Sequence, residues 1–115
     1  MTLSVNTNGI AACDIGVELT LATITTANVF QLTVDLNAMA GGTTPDIIEI
    51  REYFKGYSGA TERLLKVYTL IGVQSELMFV TVPRISPISI KYTIKQTQGT
   101  GSPGHDFPWS VLQSQ

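Results

Sequence analysis

Apolar and polar side chains alternate along most of this chain. Phe30, Leu32, Val34 and Leu36 interleave with Gln31, Thr33 and Asp35. Ile88, Ile90, Tyr92 and Ile94 interleave with Ser89, Lys91, Thr93 and Lys95. A strand points successive side chains to opposite faces, so each run predicts a strand with one buried and one wet face. The same pattern predicts a strand over 16–25, with Val17, Leu19 and Leu21 inward and Glu18 and Thr20 outward. In the strand expected over 46–54, Ile48, Ile50 and Phe54 share a face that Glu52 interrupts. The segment 56–60, Gly-Tyr-Ser-Gly-Ala, has hairpin-loop character and predicts antiparallel pairing of 47–54 with 64–71. That second strand is apolar on both faces, as a central strand is, or one covered by a partner. A strand over 77–82 stops at Pro83, residues 84–87 form an irregular connection, and a short strand over 109–112 follows the Gly- and Pro-rich loop.

No run of helical period exceeds two turns. Six main strands and a short terminal one, spaced by turn signals, predict an all-β, single-domain antiparallel β-sandwich, jelly-roll-like, of about six to eight strands. Residues 1–13 carry no side-chain charge and are rich in small residues, Thr and Asn. They are expected to form an extended N-terminal arm that orders against a neighbour, with residues 14–115 as the β-domain.

Composition narrows the function. The 115 residues suffice for one core. Charged residues make up only 14%, well below the typical value of about 25%. That suits either wet faces dressed with Thr, Ser and Gln or a protein that works docked against others. A net charge of −2 offers no basic footprint for nucleic acid. No apolar run approaches the roughly 20 residues of a membrane span. The first residues lack the basic start and apolar core of a signal peptide, and Cys13 stands alone without a disulfide partner, so synthesis in a reducing cytoplasm is expected.

Candidate chemistry is sparse. His105 and Asp106 adjoin in the loop, with no nucleophile elbow or oxyanion loop nearby. Asp35, Asp46, Glu49 and Glu52 fit no calcium-loop spacing, one His and one Cys fall short of a zinc set, and the Gly99 loop lacks the lysine and helix of a phosphate cradle. No catalytic residue, cofactor or metal is therefore expected. Lys91 and Lys95 share a strand face, as edge protection or as a contact for an acidic partner. Trp109 is expected to anchor a core or interface, since an indole buries a large area. The residues expected at an interface are Leu3, Val5 and Ile10 in the arm, Tyr57, Tyr68 and Trp109.

A resemblance sharpens this. Residues 29–39 (Val-Phe-Gln-Leu-Thr-Val-Asp-Leu-Asn-Ala-Met), then Ile48-Glu49-Ile50-Arg51, Gln74-Ser75-Glu76, residues 94–101 and Phe107-Pro108-Trp109-Ser110, in that order, resemble a group of small tailed-bacteriophage virion proteins. The similarity spans roughly 16–112 and rests on strand and loop residues. The group includes capsid decoration, or cement, proteins. The resemblance implies a β-sandwich and a non-enzymatic role in the virion, binding and stabilising the major capsid protein shell, with self-association as a homotrimer. A tail or head–tail connector protein is the neighbouring expectation. A carbohydrate-binding β-sandwich, using Tyr53, Tyr57 and Tyr68, is the expectation from another class.

Overall fold

The structure, a computed structural model, describes residues 3–86, 88–99 and 105–114. They form nine strands: β1 (Leu3–Ala12), β2 (Glu18–Ile24), β3 (Asn28–Asp35), β4 (Ile47–Lys55), β5 (Arg63–Ile71), β6 (Met78–Val80), β7 (Arg84–Ser86), β8 (Ser89–Gln98) and β9 (Asp106–Ser114). Two antiparallel sheets result. Sheet A has the order β1-β9-β3-β6, with β7 also on β3, and sheet B the order β2-β8-β4-β5. The chain changes sheet at most connections; β4 and β5 pair as a hairpin within sheet B, and β6 and β7 follow one another along β3 in sheet A. This is the strand order of a jelly roll, two Greek keys folded into a sandwich. The all-β sandwich expected from the alternation is therefore what forms.

The shared core follows the alternation. Phe30, Leu32 and Val34 of β3, Ile48 and Ile50 of β4, and Ile90, Tyr92 and Ile94 of β8 are fully buried. Phe107 and Val111 of β9 complete the layer. Ile88 lies half-buried just before β8.

Four expectations need correction. First, residues 3–12 are no arm awaiting a neighbour. They pair antiparallel with β9 of the same chain from Leu3 opposite Ser114 to Ala12 opposite Asp106. The main chain finds nine ladder partners there, which offsets the ordering cost that low side-chain burial leaves unmet. Secondly, Val17 is exposed, and Ala22 and Ile24 are the buried residues of β2. A bulge between Thr20 and Ala22 switches the parity within the strand. Thirdly, β5 is an edge strand, with Leu64, Leu65, Val67 and Ile71 exposed. Fourthly, β8 is central, so Lys91 and Lys95 guard no edge. The connection after Pro83 also returns to β3 as β7. Between β6 and β7 the Thr81 hydroxyl accepts the Leu32 N–H at 3.0 Å, and the Thr81 N–H donates to the Leu32 carbonyl at 3.0 Å.

Candidate docking face

The two outer faces of the sandwich differ in kind. On sheet B, charges interlock. Arg51 donates to Glu18 at 2.8 Å and to Glu49 at 3.0 Å. Tyr53 donates to the other Glu18 oxygen at 2.8 Å, while Lys91 meets Glu62 at 2.8 Å and lies over the Tyr53 ring. Burial pushes the Glu18 carboxyl up, but the Tyr53 hydrogen bond and the Arg51 charge outweigh it and leave the pKa below the ordinary value.

Sheet A presents almost no charge outward. Its outer positions, set by the register, run through Val5, Asn8 and Ile10 on β1, Pro108, Ser110 and Leu112 on β9, Gln31, Thr33 and Asp35 on β3, and Met78 and Val80 on β6. Only Asp35 and, at the rim, Asp106 carry charge. Ile10 is 66% exposed, Met78 54% and Val5 53%. A shallow groove of about 510 Å³ runs across the face, lined by Val5, Ile10, Asp35, Met78, Pro108 and Trp109 among others.

Strand β1 shows how this face is built. Its inward positions are Thr7, Gly9 and Ala11, all small, and its larger apolar residues point out. A bulge at Asn6, between Val5 and Thr7, places Val5 outward beside Leu112, where simple alternation would turn it inward. Gly9 lets the indole approach closely: a Cβ there would sit 3.2 Å from Cζ2 of Trp109, and the ring would have to give by a few tenths of an ångström. Trp109 thus packs across the β1 backbone and against the core, half-buried, and only its position along β9 contributes to the groove.

Of the residues expected at an interface, Val5, Ile10 and Trp109 meet at this groove. Leu3 opens β1 with its backbone, and its side chain lies outside the described residues' side chains. Tyr57 is 71% exposed at the far end of the β4–β5 hairpin, beside Leu64 and Leu65. Tyr68 is half-buried, with Lys66 Nζ 5.1 Å over its ring. It turns between the sheets, donates to Glu52 at 2.8 Å and packs edge-on against Phe79 with centroids 5.0 Å apart.

The interior holds two polar clusters that the alternation did not foretell. Glu52, fully buried, accepts from Tyr68 and from Arg84 Nε at 3.2 Å and Nη2 at 3.3 Å. Arg84 comes from β7, so the cluster ties the edge of sheet A to sheet B. Burial and the neighbouring Glu52 charge push the Tyr68 phenol up, and burial does the same to Tyr92. The interruption of an apolar face by Glu52 was the visible signal, but its partner lay 32 residues away. At one end of the sandwich Asp46 is fully buried. It accepts from the Ala40 N–H at 2.8 Å and from Gln96 at 3.3 Å, and lies 3.1 Å from His105 Nε2. Gln96 in turn accepts the His105 N–H at 3.1 Å. Gly99 lies so close to Asp46 and Gln96 that no side chain fits there. His105 therefore pairs with Asp46 and not with its sequence neighbour Asp106. Among the described residues no nucleophile stands with this pair, and it pins the 105 end of the loop to the start of β4.

The four carboxylates weighed as calcium ligands disperse: Glu49 to Arg51, Glu52 to Arg84, Asp46 to His105, and Asp35 to the Asn37 N–H. Among the described residues no cluster of three or more His, Cys, Asp or Glu could hold a metal. Residues 100 and 101, part of the similarity noted above, lie outside the described residues. No family model, no curated protein and no solved structure matches the chain.

Proposed function

We propose that this chain is a non-enzymatic structural component of a tailed phage particle, a decoration protein that binds and stabilises the major capsid protein shell in repeated copies. The observation that carries the proposal is the outer face of sheet A, which is broad, apolar and almost free of charge. A protein working alone in water gains nothing by turning Val5, Ile10 and Met78 outward on one face. One that is covered by a shell beneath and by identical neighbours beside it gains their burial, at roughly 25 cal/mol per Å² removed from water. A jelly roll is a fold that capsid proteins share with lectins and cupins, so the architecture agrees by analogy. The segment resemblance points the same way.

The carbohydrate-binding alternative has less support. Its three tyrosines diverge: Tyr53 bonds Glu18 on the outer face of sheet B, Tyr68 bonds Glu52 inside, and Tyr57 stands alone on the hairpin. The deciding experiment titrates the purified protein onto shells assembled from the major capsid protein encoded with it, followed by electron microscopy. Saturable binding at a fixed copy number per capsid subunit is expected. Absence of binding to any intact shell overturns the proposal.

A further inference from the structure

The unpaired charges of the molecule are sorted by end. Ion pairs account for Arg51 with Glu18 and Glu49, Arg84 with Glu52, and Lys91 with Glu62, while buried Asp46 is held by the Ala40 N–H and Gln96 with His105 Nε2 3.1 Å away. Among the described residues the side-chain carboxylates without an ion pair are Asp14, Asp35, Glu76 and Asp106. All lie toward the end where β4 begins, because Cys13 bonds His105 there and Leu36 bonds Leu77. Three of the four side-chain cations without an ion pair among the described residues, Lys55, Arg63 and Lys66, lie on the β4–β5 hairpin toward the other end, with the Lys66 ammonium 5.1 Å over the Tyr68 ring. The nine residues of β4 separate the two ends by roughly 30 Å, in a molecule 45 Å long.

Each end also exposes apolar side chains. At the basic end Tyr57, Leu64 and Leu65 are 71%, 50% and 45% exposed beside Arg63 and Lys66. At the acidic end the sheet A groove offers Ile10, Met78 and Pro108 beside Asp35. We infer that the occupant of the acidic end of this groove is the β4–β5 hairpin end of a second copy of the chain, with Lys66 and Arg63 directed at Asp35 and Asp106. The inference deepens the reading above by assigning the contact between copies. The two surfaces differ, so the contact is head-to-tail, and repeated it yields a closed ring or an open file of copies. A two-fold contact between two hairpins would instead gather Arg63 and Lys66 from both copies, with like charges opposed. Extended strand β5 also carries a bulge at Leu65, opposite Glu52 and Tyr53, which hinders simple edge-to-edge pairing.

The test is sedimentation velocity on the full chain without any shell present, so that its failure is separable from failure of shell binding. The wild type is expected to associate, less so at high salt, where exposed charge pairs are screened. Lys66→Glu and Asp35→Lys are each expected to weaken association by roughly tenfold, with circular dichroism unchanged. Combining the two is expected to restore it, because the pair is then reversed in sign. A wild type that remains a single chain at every concentration overturns the inference. So does association that Lys66→Glu strengthens and Asp35→Lys leaves untouched, the signature of a hairpin–hairpin contact relieved of its like charges. Failure of the double variant to regain association, with its fold intact, overturns it as well.

Discussion

The outer faces of sheets A and B are built on the same core yet solve different problems. Sheet B turns Glu18, Glu49, Arg51, Tyr53 and Lys91 outward and joins them by hydrogen bonds and ion pairs. These five are satisfied by one another and by Glu62, and water completes them, while Lys95 on the same face has no ion pair among the described residues. Sheet A turns Ile10, Val5, Met78, Pro108 and Val80 outward and leaves Asp35 without a cation. It achieves this by a reversal along β1, whose small residues face in and whose large ones face out. The difference teaches that alternation alone does not tell which face is wet. A face is identified as wet by what its side chains can pair with, and as covered by what they cannot.

The largest effect tests the layer that both faces share. Ile90 is fully buried between the sheets, and Ile90→Ala is expected to cost about 2–5 kcal/mol of stability by chemical denaturation. A loss below about 0.5 kcal/mol would mean that the site collapses onto its neighbours and that the two sheets are not held by this layer. A comparable loss is expected for Arg84→Ala, about 3–5 kcal/mol, because it strands the buried Glu52 carboxylate. Glu52→Leu in the same background should recover much of it, which separates the cost of an unpaired charge from the worth of the pair.

Next come the faces themselves. Ile10→Lys combined with Met78→Lys should leave the thermal midpoint within a few degrees of the wild type, since both residues face solvent. Binding to intact shells should weaken by tenfold or more. Lys95→Glu, on the outer face of sheet B, should leave binding unchanged. If the sheet B variant proves the damaging one, the assignment of the two faces is reversed.

A smaller effect is expected from the sheet B network. Arg51→Ala should cost about 0.2–1 kcal/mol, as part-exposed ion pairs do. Because the folded Glu18 carboxyl titrates below its ordinary value, its contribution is present above the unfolded pKa and is lost as pH falls through the folded one. The stability difference between Arg51→Ala and the wild type should therefore shrink in acid. A difference that persists undiminished in acid would assign it to packing of the arginine stem. The smallest effect concerns Cys13, whose thiol burial pushes up to about 11, with help from Asp106 and Asp14. The folded protein should resist alkylation at pH 8, and this group's share of stability should be full below pH 9 and fade as pH rises toward 11.

Much of the framework was legible in the chain. Period-two runs of β-branched and aromatic residues placed β3, β4, β5 and β8 and named most of the core, since burial on one face of a strand follows from side-chain direction alone. The hairpin between β4 and β5 was legible because its pairing is local. What was hidden depends on partners distant in sequence. The bulges at Asn6 and Leu21 follow from pairing with β9 and β8, and each turns a local stretch to the opposite face. The role of β1 was hidden because its worth lies in its backbone, which no side-chain pattern advertises. Val5 and Ile10 were noticed as apolar, and Trp109 as large. That they meet at one groove while Tyr68 turns inward to Glu52 was decided by strand order. So was the sorting of spare charge to opposite ends. Side-chain chemistry determined that these residues want cover; only the jelly-roll arrangement, which brings residues 5, 35, 78 and 108 to one surface, decided where that cover must come from.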